Sequence, residues 1–183
     1  DIKEYRKLFS TVFQDYSTFA FTLGENISLN NSYDTARMNV ALEKSGLLSL
    51  VKRCPNGLAT HISRRFNDNG IDFSGGELQK IAIARAIYKD GQLLVLDEPN
   101  AAMDSKSEIE LYSNISSFSI GKIVLFITHR LASVLFCDRI LVLKDGKLVG
   151  DGEHANLIDT VEEYRTLFNA QKDLYKDTKI ERN

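Results

Sequence analysis

Three short, uninterrupted apolar runs constrain this chain most: Leu93-Leu94-Val95-Leu96, Ile123-Val124-Leu125-Phe126-Ile127 and Ile140-Leu141-Val142-Leu143. Runs of this length without polar alternation describe strands covered on both faces, as in a parallel sheet with helical crossovers. Between the first two lies a polar stretch carrying Ile109, Leu111, Tyr112 and Ile115, long enough for a helix, so a βαβ unit is expected. Asp145-Gly146 signals a hairpin, with Lys147-Leu148-Val149 returning antiparallel.

The rest of the chain supplies helices and loops around these strands. Leu8, Phe9, Val12 and Phe13, within residues 7–14, predict a short strand that enters a loop at Gln14-Asp15. Ala36, Val40, Leu47, Leu48 and Val51, broken by polar residues, predict one or two amphipathic helices over 34–51, stopped by the turn Cys54-Pro55-Asn56-Gly57. A loop from Arg65 to Gly76 then feeds a helix in which Leu78, Ile81, Ala82 and Ala86 recur at helical spacing. Val161, Tyr164, Leu167, Phe168 and Tyr175 predict a terminal helix that docks on the fold.

With 183 residues the chain is of one-domain size, with room for a subdomain. Its 23 Lys+Arg against 25 Asp+Glu leave a net charge of −2, and the basic residues are scattered, so it carries no electrostatic footprint for nucleic acid. Cys54 and Cys137, without a C-x-x-C or a flanking His cluster, suggest neither a zinc site nor a disulfide framework and fit a reducing, cytosolic setting. No apolar run approaches the roughly 18 residues that span a bilayer.

Chemistry gathers where the apolar runs end. The first run closes on two adjacent carboxylates, Asp97-Glu98, followed by Pro99. Acids at the carboxyl end of a parallel strand are costly to bury unless a cation or a proton-transfer role compensates; the plain alternative is a solvated strand exit. The second run closes on Thr128-His129, which puts an imidazole on the same sheet edge as the acid pair. Ser74-Gly75-Gly76-Glu77, just ahead of a helix, offers a hydroxyl and two unhindered amides to an anion, or Glu77 merely caps that helix. Gln14 ends the first strand and alone would be an ordinary loop residue.

In their order and spacing these four segments resemble one family. VFQDYSTFAFTLGENI is similar to the Gln-containing loop of ATP-binding cassette (ABC) ATPases, FSGGELQKIAIARAI to their signature loop and helix, QLLVLDEPNAAMD to their Walker B strand and D-loop, and IVLFITHRL to their His switch. The resemblance extends through DRILVLKDGKLVGDGEHANLI and YRTLFNAQ to the end of the ATPase domain of exporters with fused membrane domains. It implies an α/β fold: a P-loop NTPase core with a mainly parallel sheet (about 1–26 and 91–183) and a helical signature subdomain (about 27–90). By the same resemblance Asp97 holds Mg²⁺ through water, Glu98 polarises the attacking water, and Gln14 senses both while coupling to the membrane domain. His129 meets the γ-phosphate of ATP, and Ser74, Gly75, Gly76 and Glu77 bind nucleotide held by a partner subunit. Asp104 bridges the dimer. The implied partners are a second nucleotide-binding domain, arranged head to tail, and a transmembrane domain fused upstream, at the cytoplasmic face of the cell membrane.

The family's phosphate cradle, G-x-x-x-x-G-K-S/T, does not occur in these residues: the only Gly-Lys pairs, Gly121-Lys122 and Gly146-Lys147, are followed by Ile123 and Leu148. Since the chain also starts at Asp1, the expectation is an N-terminal truncation that removes the first strands and the P-loop. In the family the P-loop strand sits between the strand ending at His129 and the strand of Ile140–Leu143, so a gap or exposed edges are expected there, with weak ATP binding, no hydrolysis and aggregation of the chain alone. Phe73, Glu77, Asn100, Ala101, Ala102 and Met103 depart from the family's commoner residues without removing a group assigned to chemistry. Two alternatives stand beside the exporter ATPase. One is a degenerate cassette that lends only its signature face. The other is a DNA-maintenance ATPase, disfavoured because only 60 positions separate Gln14 from Ser74, too few for a coiled coil.

Overall fold

A computed structural model describes residues 1–64, 67–99, 103–130 and 133–172. In chain order these form helix α1 (Ile2–Lys7), strand β1 (Phe9–Val12), helices α2 (Leu23–Ser28), α3 (Thr35–Lys44), α4 (Leu48–Arg53) and α5 (Gly75–Lys89), strand β2 (Leu93–Asp97), helix α6 (Ser105–Phe118), strands β3 (Ile123–Ile127), β4 (Ile140–Lys144) and β5 (Lys147–Gly152), and helices α7 (His154–Thr160) and α8 (Glu162–Lys172). The expected strands, crossover helix, hairpin, signature helix and terminal helix are all among them. Helices α1, α2 and α7, six or seven residues each, are too short to show a helical period in sequence. Tyr175, expected in the terminal helix, lies outside the described residues, as do Arg65, Asn100, Ala101, Ala102 and Leu131.

Strands β1, β2 and β3 form one parallel sheet in that order. Val12 stands opposite Leu96, and Asp97 opposite Ile127, so the three strands end together. Gly91 sets the start of β2: a Cβ there would lie 2.8 Å from the Leu8 carbonyl oxygen and the Ser10 nitrogen, so only glycine lets the strands approach this closely. Helix α6 makes the β2-to-β3 crossover, while α2 to α5 fill the long passage from β1 to β2. Leu23, Ile27, Met38, Leu42, Leu47, Ile81, Ile83, Leu94, Leu96, Leu111 and Ile115 share one core that joins these helices to the sheet. A second cluster, Ile140, Val142, Leu157 and Tyr164, packs α7 and α8 on the antiparallel pair β4–β5. Asp145 and Gly146, both at positive φ (50° and 73°), make the tight turn that joins the pair.

Burial on both faces holds for β2 only. On β3, Ile123, Leu125 and Ile127 are 69%, 45% and 48% exposed, and β4 pairs with β5 instead of joining the parallel sheet, leaving Leu141 and Leu143 exposed. A groove of about 820 Å³ between β3 and β4, lined by Ile123, Leu125, Val134, Ile140 and Leu141, accounts for the exposure of Ile123, Leu125 and Leu141. No described strand fills it. The gap and the exposed edge expected between these strands are thus both present.

Candidate active site

The shared end of the sheet brings the predicted residues to one edge. Gln14 lies two residues past Val12 on the loop leaving β1 and is exposed; Asp97 is the last residue of β2; His129 follows β3 by two. The Glu98 amide donates to the Ile127 carbonyl at 2.9 Å, so pairing with β3 continues one residue past Asp97. Glu98 then turns left-handed, with φ +44°. For a residue with a Cβ that conformation costs on the order of 1–2 kcal/mol and persists only where the surroundings impose it.

Those surroundings are specific. Glu98 Oε1 and His129 Nδ1 are 2.8 Å apart, and because a carboxylate only accepts, Nδ1 carries the proton. The Glu98 side chain is 25% exposed and that of His129 68% exposed, so the pair faces outward from the sheet edge. Behind it, Gln79 of α5, only 1% exposed, donates its amide to the Glu98 carbonyl at 3.2 Å. On the other side Gln171 of α8 donates to the His129 carbonyl at 2.6 Å. Arg130 donates to the fully buried Glu108 of α6 at 3.2 Å, and the Tyr112 hydroxyl reaches the other oxygen of that carboxylate at 3.3 Å.

The signature segment opens α5 through a reciprocal cap: the Glu77 amide donates to Ser74 Oγ at 3.4 Å, while the Ser74 amide and hydroxyl both donate to Glu77 Oε2 at 2.9 Å. Arg53 holds the other oxygen of Glu77 at 2.7 Å. Burial pushes the Glu77 carboxyl up, but the hydrogen bonds from Ser74 and Arg53 outweigh it, and its pKa lies below the ordinary value. The capping alternative for Glu77 therefore holds in this conformation, and Gly75 and Gly76 follow Ser74 in the first turn of α5. Asp104 caps α6, accepting from the amides of Lys106 (3.1 Å) and Ser107 (3.0 Å) and from the Ser107 hydroxyl (2.8 Å), which hold its carboxyl below the usual range.

Two contacts tie the Gln14 loop to α5. The Tyr16 hydroxyl donates to the Gly75 carbonyl at 2.8 Å, and Arg85 donates to the carbonyls of Asn26 (2.7 Å) and Ser17 (3.0 Å). Burial pulls the Arg85 guanidinium down from its ordinary pKa.

The structure thus joins Glu98 to His129 directly, sets Gln14 and Asp97 on the same edge, and leaves Ser74–Glu77 and Asp104 at two helix N-termini. It adds four residues the motifs missed: Gln79, Glu108, Arg130 and Gln171. The first two had a signal: Gln79 falls on the stripe of Ala82, Ile83 and Ala86, and Glu108 on that of Leu111, Tyr112 and Ile115, polar groups where spacing demands apolar ones. Among the described residues no three His, Cys, Asp or Glu cluster as a metal cage. A strand-end carboxylate such as Asp97 suits Mg²⁺, which keeps several of its waters, and the Gly75–Gly76 amides suit a phosphate.

Comparison with known proteins identifies the family. The ABC transporter family model matches residues 1–101, more than half of the chain. An ATP-dependent lipid A-core flippase of Cupriavidus metallidurans is 39% identical over 161 residues, which are 86% of this chain and 26% of the flippase. A protein of the same name from Burkholderia orbicola is 39% identical over 158 residues, again 86% of this chain and 26% of the relative. A solved bacterial Atm1-family ABC exporter with ATP bound superposes with a TM-score of 0.83 at 28% identity, covering 93% of this chain and 30% of the exporter. The chain thus spans about a quarter of the length of the curated relatives it matches. With a parallel sheet that ends in an acid–imidazole pair and a capped signature helix beside it, the chain belongs to the ABC transporter family.

Proposed function

We propose that this chain is the ATP-hydrolysing unit of an exporter, working at the cytoplasmic face of a membrane. The observation that carries the reading is the Glu98–His129 hydrogen bond at the end of the parallel sheet. In this reading Mg·ATP supplies the scissile γ-phosphoryl group and the cation that neutralises it. Glu98 accepts a proton from the attacking water, and His129, its Nδ1–H held by Glu98, meets the γ-phosphate as an imidazolium whose Nε2–H donates to a phosphate oxygen. Asp97 holds Mg²⁺ through water, and Gln14, on an exposed loop tied to α5 by Tyr16 and Arg85, carries the state of the site to a membrane domain. Such a division of labour suits phosphoryl transfer, which depends on positioning and charge rather than covalent chemistry by the protein.

Ser74, Gly75, Gly76 and Glu77 bind nucleotide held by a second nucleotide-binding domain, and Asp104 bridges the two, in a head-to-tail dimer. Residues 27–90 form the signature subdomain, and residues 1–26 and 91–183 belong to the core. These 183 residues hold no G-x-x-x-x-G-K-S/T, so the triphosphate cradle comes from outside them. A chimera tests the reading: these residues replace the matching stretch of the Cupriavidus metallidurans flippase. ATP turnover in membranes well above that of the flippase lacking the stretch is expected. Turnover no higher than that control overturns the reading.

A further inference from the structure

Two glutamines from distant parts of the chain touch the acid–imidazole pair in the same way. Gln79, buried in the first half of α5, donates its side-chain amide to the main-chain carbonyl of Glu98 at 3.2 Å. Gln171, at the end of α8, donates to the main-chain carbonyl of His129 at 2.6 Å. Each meets a main-chain carbonyl and so holds the backbone from which the carboxylate or the imidazole projects. That is where restraint is needed. Glu98 stands in a left-handed conformation it would leave if released, and His129 lies beyond the last β3 residue, on a side chain that is 68% exposed. Arg130, paired with the buried Glu108, anchors the next residue of the same loop to α6.

We propose that Gln79 and Gln171 are positioning residues that lock the Glu98–His129 pair in register, so that α5 and α8 each control one half of it. This rests on reading Glu98 and His129 as the reacting pair. The physical basis is that a displacement of about 1 Å at either backbone opens a 2.8 Å hydrogen bond, and misplacement on that scale costs a catalytic site as much as about 100-fold. Gln171 also lies on the docking stripe of α8 with Tyr164 and Phe168, whose rings pack on His154, so a shift of this helix on the β4–β5 hairpin reaches the His129 loop.

The test reads the imidazole itself. The chain has three histidines, so the His129 ring nitrogens can be assigned by comparison with His129→Gln and followed through the carbon-bound ring protons. In alkaline solution a neutral imidazole free in water prefers its proton on Nε2. The Glu98 carboxylate should instead hold it on Nδ1 in the parent chain, and Glu98→Ala should return it to Nε2. Gln171→Met, which keeps the length and loses the donor, is expected to shift the tautomer to Nε2–H with unfolding temperature unchanged, and Gln171→Lys, which keeps an N–H donor, to retain Nδ1–H. Gln79→Met is expected to act as Gln171→Met does; where its burial prevents folding, Gln171→Met decides alone. Retention of Nδ1–H in Gln171→Met overturns the proposal. In the flippase chimera, Gln171→Met is expected to lower kcat about 10-fold with KM for ATP unchanged. A parent chain already in the Nε2–H form contradicts the pair itself, so the failure of the site reading is told apart from failure of the clamp.

Discussion

At the scale of the single residue, Glu98 combines a left-handed backbone, a carbonyl held by Gln79 and a carboxylate held by His129. Nothing in the order Asp97-Glu98-Pro99 announces the positive φ. The sequence shows a strand and its two acids, whereas the turn follows from how β2, β3 and α5 meet. The strain makes a prediction that contacts alone do not. At ordinary positions glycine is the less stable replacement by about 0.5–1 kcal/mol, but here Glu98→Gly should be more stable than Glu98→Ala by about 1 kcal/mol, since only the alanine keeps a Cβ in the left-handed region. Chemical denaturation of both variants checks this, and the usual order would remove the strain from the account.

At the scale of the element, α5 begins with a reciprocal cap that the sequence allowed but did not require, since Ser74 and Glu77 also fit an anion site. Ser74→Ala should cost about 1 kcal/mol of stability, measured by denaturation. The cap also depends on pH. Glu77 has a folded-state pKa below its ordinary value, so its contribution is present above the unfolded value of about 4.3 and fades as pH falls through the lower folded value. On acidification through that window the parent should lose stability more steeply than Glu77→Gln; parallel curves would contradict the cap. What sequence alone made hard to read was polar residues on apolar stripes. Gln79 and Glu108 occupy core positions of α5 and α6, and spacing marks them as anomalies without naming the carbonyl or guanidinium they meet. Gln171 was less legible still, because its partner lies 42 positions away on a loop.

At the scale of the whole molecule, the apolar runs at 93–96 and 123–127 predicted two parallel strands with a shared edge, which is why Asp97, Glu98 and His129 could be placed on one rim beforehand, whereas Gln14 read as an ordinary loop residue and joins that rim through the pairing of β1 with β2. The same runs misled about β3 and β4, which are not covered on both faces: β3 pairs only with β2 and β4 only with β5, and a groove of about 820 Å³ lies between them. An exposed apolar edge pairs readily with other chains. Leu125→Lys, on β3 facing the groove, should raise the concentration at which the chain stays monomeric by light scattering; unchanged self-association would place the sticky surface elsewhere. Because the residues hold no triphosphate cradle, calorimetric titration of the 183-residue chain with Mg·ATP should give no micromolar binding. The central claim, that Glu98 is the base of an ABC-type ATPase, is tested most directly by ATP turnover of the flippase chimera carrying Glu98→Gln. A fall of about 10²–10⁴-fold against the unsubstituted chimera is expected, with the protein still folded. Turnover within a factor of about two of the parent would contradict it.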